Sequence, residues 1–175
     1  ASGSGSGLIV DNEGHIVTNN HVVGDALEVE VRLSDKTKLI AQVIGKDPDT
    51  DLALLKVTVD RALPFARFGD SSTVRVGQWV LAVGNPFGLD RSMSIGIISS
   101  LNRSLEIREN WVIKSIIQID ASINPGNSGG ALVDMQGRLL GVNSIIFSKG
   151  GGSNGVGFAI PSEMVKRVVD AAVHG

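Results

Sequence analysis

The sequence predicts an all-β fold of two antiparallel barrels followed by one C-terminal helix. Short runs rich in Val, Ile and Leu recur along the chain, with turn residues between them and no long helical patterns separating them. Glycine is abundant, at 22 of 175 residues, and it punctuates these runs. Residues 27–33 alternate strictly between apolar and polar side chains, which is the period of a half-buried strand.

A polar stretch in the first half of the chain divides the predicted strands into two groups. Residues 11–14 and 134–137 lie between apolar runs and predict hairpin turns, one in each group. Pro161 and Ser162 start the predicted helix, whose apolar residues recur at helical spacing. The predicted division is an N-terminal lobe at 1–68, a linker at 69–75, a C-terminal lobe at 76–160 and the helix at 161–175.

The composition argues against several classes of function. The chain has no cysteine, which excludes thiol nucleophiles, disulfides and cysteine-based zinc sites. Its formal net charge is −2 and its aromatic content is 4%, so the basic, ring-bearing surface of a nucleic-acid-binding protein is not expected. No apolar run approaches the roughly 20 residues that a membrane helix needs. The histidines lack the spacing of metal ligands, and we expect neither a metal nor a cofactor.

The glycine-rich run GNSGG at 126–130 makes Ser128 the candidate nucleophile. Glycines let the backbone turn its amides toward a developing oxyanion, and the amides of Gly126 and Ser128 are the candidate donors. A hairpin loop with an incidental serine is the plainer alternative. The run also fits the nucleophile elbow of α/β hydrolases, but those enzymes place an acid and then a histidine after the serine. Only His174 follows Ser128, so the elbow is disfavoured.

His21 and Asp51 are the candidate partners of Ser128. His21 is expected at the end of an apolar strand, whereas His15 is expected in a turn at the surface. Asp51 opens the apolar run LALLKV, so its carboxylate is expected half-buried and in need of a donor such as an imidazole N–H. Asp47 and Asp49 are rivals, although their neighbours place them in a turn. The order His21, Asp51, Ser128 is that of chymotrypsin-type proteases, with the site between two barrels.

Five motifs together resemble the protease domain of the HtrA (Deg) family of serine proteases. They are TNNHVV at 18–23, DLALLKV at 51–57, GNPFG at 84–88, QIDASINPGNSGG at 118–130 and GVGFAIP at 155–161. The resemblance spans nearly the whole chain. It implies two chymotrypsin-like barrels and ATP-independent cleavage of unfolded or misfolded proteins, outside the cytoplasm, in protein quality control and stress response. It also implies that His21 is the general base, that Asp51 orients it, and that Ser128 attacks.

The resemblance further implies which residues select the substrate. Ile123 and Ile146 are expected as pocket walls, and Ser144 and Ile145 are expected on a strand beside the bound peptide. Such a pocket suits small or medium aliphatic side chains. Asp120 is a competing candidate for an acidic pocket base that selects Lys or Arg, but a structural role for it is preferred because the family favours aliphatic residues.

Regulation and assembly are also expectations from the resemblance. Residues 89–94 and 103–111 correspond to regulatory loops, and Arg103 is a candidate sensor that contacts a neighbouring subunit. The resemblance implies homotrimers that form through an N-terminal stretch, and it implies a PDZ domain; we expect neither element within these 175 residues. A catalytically idle chaperone or peptide-binding scaffold on the same fold is the alternative function. A phosphate-binding module is weaker still, because the N-terminal glycines lack the Lys-Ser/Thr ending of a P-loop.

Overall fold

The computed structural model describes residues 5–84, 92–124, 126–145 and 157–174. Strands dominate it, as predicted, and they form two separate antiparallel sheets. The strands are β1 (Leu8–Ile9), β2 (His15–Asn19), β3 (Glu28–Arg32), β4 (Lys38–Asp47), β5 (Leu52–Lys56), β6 (Trp79–Gly84), β7 (Ser92–Arg108), β8 (Trp111–Asp120), β9 (Ala131–Val133), β10 (Leu139–Ser144) and β11 (Gly157–Pro161). The helices are α1 (Asn20–Val23) and α2 (Ser162–His174), and a short 3₁₀ turn spans Ser71–Thr73.

The first sheet has five strands in the order β1-β2-β5-β4-β3. The predicted hairpin turn at 11–14 joins β1 to β2, and Gly14 there has a φ of 96°, in the region that favours glycine. One face of the sheet packs a buried cluster that includes Ile16, Ala53 and Leu55. In this sheet the last residue of β2 lies beside the first residue of β5.

The second sheet closes into a barrel in the order β10-β11-β8-β7-β6-β9, with β9 pairing back onto β10. Val80, Ile98, Ile119 and Leu132 fill its interior and are fully buried. Burying a side chain of this size contributes roughly 1.5–3 kcal/mol, so the barrel interior is a principal source of stability. The all-β, chymotrypsin-like fold class predicted from the sequence is confirmed.

Helix α2 packs against strands from both sheets. Its Val165 is fully buried in a cluster that also contains Leu54 of β5 and Val142 of β10. The other apolar residues of the predicted stripe are half-buried against the same cluster. On β4, an added Cβ at Gly45 would lie 2.9 Å from the Ala172 Cβ, so a glycine permits this close approach. The shared core fixes the two sheets relative to each other. No helix within the described residues is long and apolar enough to cross a membrane.

Three local expectations were wrong. His21 lies in the single helical turn α1 and not at the end of a strand. His15 is buried on β2 and not at the surface, because its ring turns inward toward Asp11. The segment 103–111, expected as a loop, belongs to a hairpin in which β7 turns into β8 at residues 109 and 110. Leu105 and Ile107 alternate with polar residues at 104, 106 and 108, which is the pattern of a strand.

Candidate active site

His21 and Asp51 lie together where β2 ends and β5 begins. Asn19 and Leu52 are paired across these strands, so the residues just beyond them meet. The His21 backbone N–H donates to Asp51 Oδ1 at 2.9 Å, and His21 Nδ1 lies 2.6 Å from Asp51 Oδ2. Because a carboxylate only accepts, Nδ1 carries the ring proton and Nε2 is left as the basic nitrogen.

The burial of this pair suits a base with an orienting acid. The Asp51 side chain is 1% exposed, whereas the His21 ring is 35% exposed and so reachable from solvent. Asp51 has a φ of 59°, a conformation that aspartate tolerates better than most residues. Its backbone carbonyl accepts from the Asn20 amide at 2.9 Å and from Asn19 Nδ2 at 3.2 Å. These bonds fix the carboxylate under the imidazole. The carboxylate is thus more deeply buried than the sequence predicted.

Ser128 lies in the segment 124–130, called the nucleophile loop, of which Pro125 is outside the described residues. Two glycines after the serine permit close backbone approaches. Gly129 has a φ of 86°, and a Cβ there would lie 2.1 Å from the Ser6 carbonyl oxygen. A Cβ on Gly130 would lie 2.1 Å from the Val83 carbonyl oxygen. No larger residue fits at either position without displacing the backbone.

Asn143 of β10 anchors the end of the nucleophile loop. Its carbonyl accepts from the Gly129 amide at 2.8 Å, and its amide donates to the Gly130 carbonyl at 2.9 Å. Its carboxamide nitrogen donates to the carbonyls of Asn127, at 3.3 Å, and Ala131, at 3.0 Å. A fully buried side chain therefore joins the loop to the barrel wall.

Ser6, near the N-terminus, braces the nucleophile loop. Its amide donates to the Ser128 carbonyl at 2.9 Å, and its hydroxyl donates to the Gly126 carbonyl at 2.7 Å. The Thr18 hydroxyl in turn donates to the Ser6 carbonyl at 2.7 Å. The loop that carries the serine is thus held by residues more than a hundred positions away along the chain.

The Ser128 hydroxyl is hydrogen-bonded to Asn19. Its Oγ donates to the Asn19 Oδ1 at 2.8 Å, and both side chains are buried. Within the described ranges, Ser128 and His21 share no hydrogen bond. The structure brings the predicted histidine and aspartate into contact, whereas the predicted serine is hydrogen-bonded to Asn19.

Both candidate oxyanion amides are also engaged within the nucleophile loop. The Gly126 amide donates to the Asn124 carboxamide oxygen at 2.8 Å. The Ser128 amide donates to the Asn124 carbonyl at 3.0 Å. An amide that already donates cannot stabilise a substrate oxyanion, so this is the geometry of a resting site.

Comparison with known proteins assigns the family. The trypsin-like peptidase domain model matches residues 5–142 of the chain. The chain belongs to the trypsin-like peptidase family. The match covers both strands that flank His21 and Asp51 and the whole nucleophile loop.

Relatives of this trypsin-like peptidase domain confirm its resemblance to the HtrA (Deg) family. A probable periplasmic DegP-like serine endoprotease of Marinomonas sp. (strain MWYL1) is 48% identical over 169 residues, which cover 97% of this chain and 35% of the relative. A DegP-like protein of Chlamydia trachomatis is 47% identical over 170 residues, covering 97% and 33%. The solved HtrA-type protease AlgW with decapeptide has a TM-score of 0.84 and 45% identity, covering 97% of this chain and 51% of that one. The chain spans about a third of the length of the curated relatives.

Three of the four predicted specificity residues of the peptidase domain, Ile123, Ser144 and Ile145, lie within the described residues. Ile123 is half-buried against the barrel core, where a Cβ on Gly157 would lie 2.3 Å from its Cγ1. Ser144 is buried at the end of β10, and the half-buried Ile145 follows it. Ile146 lies outside the described residues, as do residues 85–91, which include part of the expected regulatory loop at 89–94. Asp120 ends β8 with an exposed side chain.

A second His–Asp pair lies on the β1–β2 hairpin of the peptidase domain. His15 Nδ1 is 2.6 Å from Asp11 Oδ2, and Glu13 Oε2 lies 4.0 Å from the same nitrogen. Burial raises the pKa of Asp11, but hydrogen bonds from His15 and Glu13 outweigh this and hold its pKa below the usual aspartate value. Asp11, Glu13 and His15 each carry one potential metal-binding atom, and these three atoms lie within 4.8 Å of one another. The Asp11 carboxylate is already hydrogen-bonded to the backbone amide and the ring of His15.

Sequence reasoning missed four polar residues of the site. Ser6, Asn19, Asn124 and Asn143 received no role, although each bonds the nucleophile loop or its serine. The bond of Asn124 to the amide two residues on is an Asx turn, which sequence spacing can suggest. The other three contacts join distant segments, and no local pattern signals them.

Proposed function

We propose that this trypsin-like peptidase domain is an ATP-independent serine endopeptidase. Its substrates are unfolded or misfolded proteins outside the cytoplasm, and its role is protein quality control. The observation that carries the proposal is the His21–Asp51 pair: a buried carboxylate accepts one hydrogen bond from the His21 backbone amide and one from its ring Nδ1, beside the loop that bears Ser128. The relatives that cover nearly the whole chain are named periplasmic serine endoproteases, which supports both the activity and the location.

The proposed chemistry is acyl transfer through Ser128. His21 Nε2 removes the hydroxyl proton as Oγ bonds to the substrate carbonyl carbon, and the negative charge moves to the carbonyl oxygen. The C–N bond then breaks, and His21 returns the proton to the leaving amine. Water, deprotonated by His21, then attacks the acyl carbon. The C–Oγ bond breaks, His21 returns the proton to Ser128 Oγ, and the second product leaves with a new carboxyl group. Asp51 remains ionised throughout and stabilises the imidazolium.

The oxyanion amides have to be released before this chemistry. Gly126 and Ser128 are the proposed donors, and both amides now bond to Asn124. Turning them toward a substrate oxygen converts the resting site into a competent one. A peptidase that must make this change first is protected from cleaving native proteins while no suitable substrate is bound.

We propose that the substrate side chain lies against Ile123, Ser144, Ile145 and Ile146. The described members of this set are apolar or small and lie next to the nucleophile loop, which supports a preference for small or medium aliphatic residues. A peptide library tests this preference. Cleavage mainly after Val, Ile, Ala or Leu is expected, and dominant cutting after Lys or Arg would favour the exposed Asp120 as the pocket base.

Assembly into a homotrimer is also a proposal, and the barrel surface supports self-association. We call Trp79, Leu81, Met93, Ile95 and Ile97 the outer apolar face. They are cross-strand neighbours on the outside of β6 and β7. Trp79, Ile95 and Met93 are 57%, 58% and 61% exposed. A contiguous apolar face of this kind marks a protein interface.

Arg103 is kept as a proposed sensor for a neighbouring subunit, and it is exposed on β7 opposite Ile116. The division of the chain into two lobes also remains a proposal.

Degradation of unfolded casein tests the proposed activity. The wild-type chain is expected to degrade casein without ATP, and Ser128→Ala is expected to lose at least about 10³-fold of that activity. The variant should still fold, with a loss of about 1–3 kcal/mol in the free energy of unfolding because Asn19 Oδ1 loses its buried donor. Equal cleavage by the two proteins would contradict the proposal. No cleavage by either, together with suppression of casein aggregation by both, would favour the idle scaffold instead.

A further inference from the structure

We propose that Asn19 is a positioning residue that holds the Ser128 hydroxyl away from His21 until a substrate is engaged. This inference rests on the proposed function, in which Ser128 is the nucleophile. It begins from one contact: Ser128 Oγ and Asn19 Oδ1 lie 2.8 Å apart and join residues 109 positions apart in the sequence. The contact is buried and links the end of β2 to the nucleophile loop.

The direction of this hydrogen bond follows from the other end of the Asn19 carboxamide. Asn19 Nδ2 donates to the Asp51 backbone carbonyl at 3.2 Å. A carbonyl only accepts, so the nitrogen must face Asp51 and the oxygen must face Ser128. Ser128 is therefore the donor. Its proton points at an amide oxygen and is not available to His21 Nε2.

Asn19 is the fixed partner and Ser128 is the one that moves. The asparagine has no exposed surface, ends a strand paired with β5, and is bonded at both ends of its carboxamide. A rotation of the serine about χ1, between staggered wells, moves its Oγ away from Asn19. A neutral carboxamide oxygen cannot remove the hydroxyl proton, so the Asn19-bound rotamer does not react.

The proposed device is thus a competition between two acceptors for one proton. While Asn19 holds the hydroxyl, the His21–Asp51 pair is assembled but has no nucleophile to activate. A neutral buried hydrogen bond biases such an equilibrium by roughly 3- to 10-fold. Losing the bond should therefore raise the reactive fraction of Ser128 by that factor.

The test is the rate at which a fluorophosphonate probe labels the folded chain. Asn19→Ala is expected to label about 3- to 10-fold faster than the wild type. With a peptide substrate, its kcat should rise while KM stays unchanged. The Asp51 carbonyl keeps the Asn20 amide as a donor in this variant, so the acid retains an anchor. A merely structural role for Asn19 predicts slower labelling, never faster.

The matched control is Asn12→Ala. Asn12 is exposed in the turn between β1 and β2, away from the nucleophile loop, and this variant should label at the wild-type rate. If Asn19→Ala does not fold, Asn19→Ser serves, since its hydroxyl lies one bond nearer the backbone than the carboxamide oxygen. Labelling of the folded Asn19 variant at or below the wild-type rate overturns the inference. If neither the wild type nor any variant is labelled, the proposed function itself fails, and the inference fails with it.

Discussion

The Asn124 carboxamide oxygen accepts the hydrogen bond of the Gly126 amide at 2.8 Å. The backbone carbonyl of the same asparagine accepts from the Ser128 amide at 3.0 Å. One residue therefore occupies both amides that are proposed to bind the substrate oxyanion. A substrate carbonyl has to displace Asn124 before the tetrahedral intermediate can be stabilised.

Asn124→Asp tests this relationship with a side chain of the same size. The carboxylate keeps the acceptor, holds the Gly126 amide more strongly and places a negative charge beside the developing oxyanion. We expect kcat on a peptide substrate to fall about 10²-fold with little change in KM. The exposed Asn102→Asp on β7 is the control and should leave kcat unchanged. A kcat equal to the wild type in Asn124→Asp would show that Asn124 does not govern the oxyanion amides.

Asp51→Asn tests the orienting acid. Asparagine offers one acceptor oxygen where two His21 donors, the backbone N–H and Nδ1–H, now use two, and it carries no charge to stabilise the imidazolium. The imidazole therefore loses its fixed tautomer and its stabilisation. A drop in kcat of about 10³- to 10⁴-fold is expected, as in proteases where this aspartate is replaced. Asp49→Asn, a rival acid in the adjacent turn, should retain full activity. If Asp49→Asn is the inactive variant and Asp51→Asn is active, the assignment of the acid is wrong.

Asp134 gives the fold a specific pH dependence at the β9–β10 turn. Burial raises the pKa of Asp134, but hydrogen bonds from the Arg138 and Gln136 amides and the Arg138 guanidinium outweigh this and lower its pKa. A pKa that is lower in the folded state stabilises the fold above the unfolded value, and this contribution is lost as the pH falls through the folded value.

Asp134→Asn should therefore reduce the free energy of unfolding by about 1–2 kcal/mol at pH 7. The difference from the wild type should shrink once the pH falls below the ordinary aspartate pKa of about 3.9. Urea denaturation at pH 7 and pH 3 measures both. Asp60→Asn, an exposed aspartate, is the control and should change neither value. An equal loss at both pH values would show that the charge of Asp134 is not the cause.

The outer apolar face should control self-association. Trp79→Lys places a charge at its edge, next to Ile97 across the strand pair, and should shift the solution mass to that of the monomer. Light scattering after gel filtration measures this mass. Leu27→Lys is the matched control, since Leu27 is 81% exposed and lies just before β3 of the other sheet. A wild-type chain that is already monomeric, or an assembly that survives Trp79→Lys, would exclude this face as the interface.

The fold and the histidine–aspartate pair could be predicted from the sequence because they depend on repeated local patterns. The alternation at 27–33 predicted β3, and the apolar stripe after Pro161 predicted α2. Asp51 was recognised because it opens a buried strand. The hydrogen bond from the Ser128 hydroxyl to Asn19 could not be predicted from the sequence. The two residues are 109 positions apart, and their contact depends on how the two sheets pack together.

The errors have two different origins. Segment 103–111 was expected as a loop from family resemblance, although its residues 104–108 alternate as in a strand. His15 was expected at the surface because a turn precedes it, yet the β1–β2 register and the Asp11 carboxylate turn it inward. Where local pattern and resemblance disagree, the local pattern decided the backbone here.

The location of a fluorophosphonate adduct tests the central claim most directly. Intact mass and peptide mapping after labelling of the wild-type chain should show one adduct, on Ser128, and Ser128→Ala should show none. An adduct on another serine, or a labelled Ser128→Ala, would contradict the assignment of Ser128 as the nucleophile.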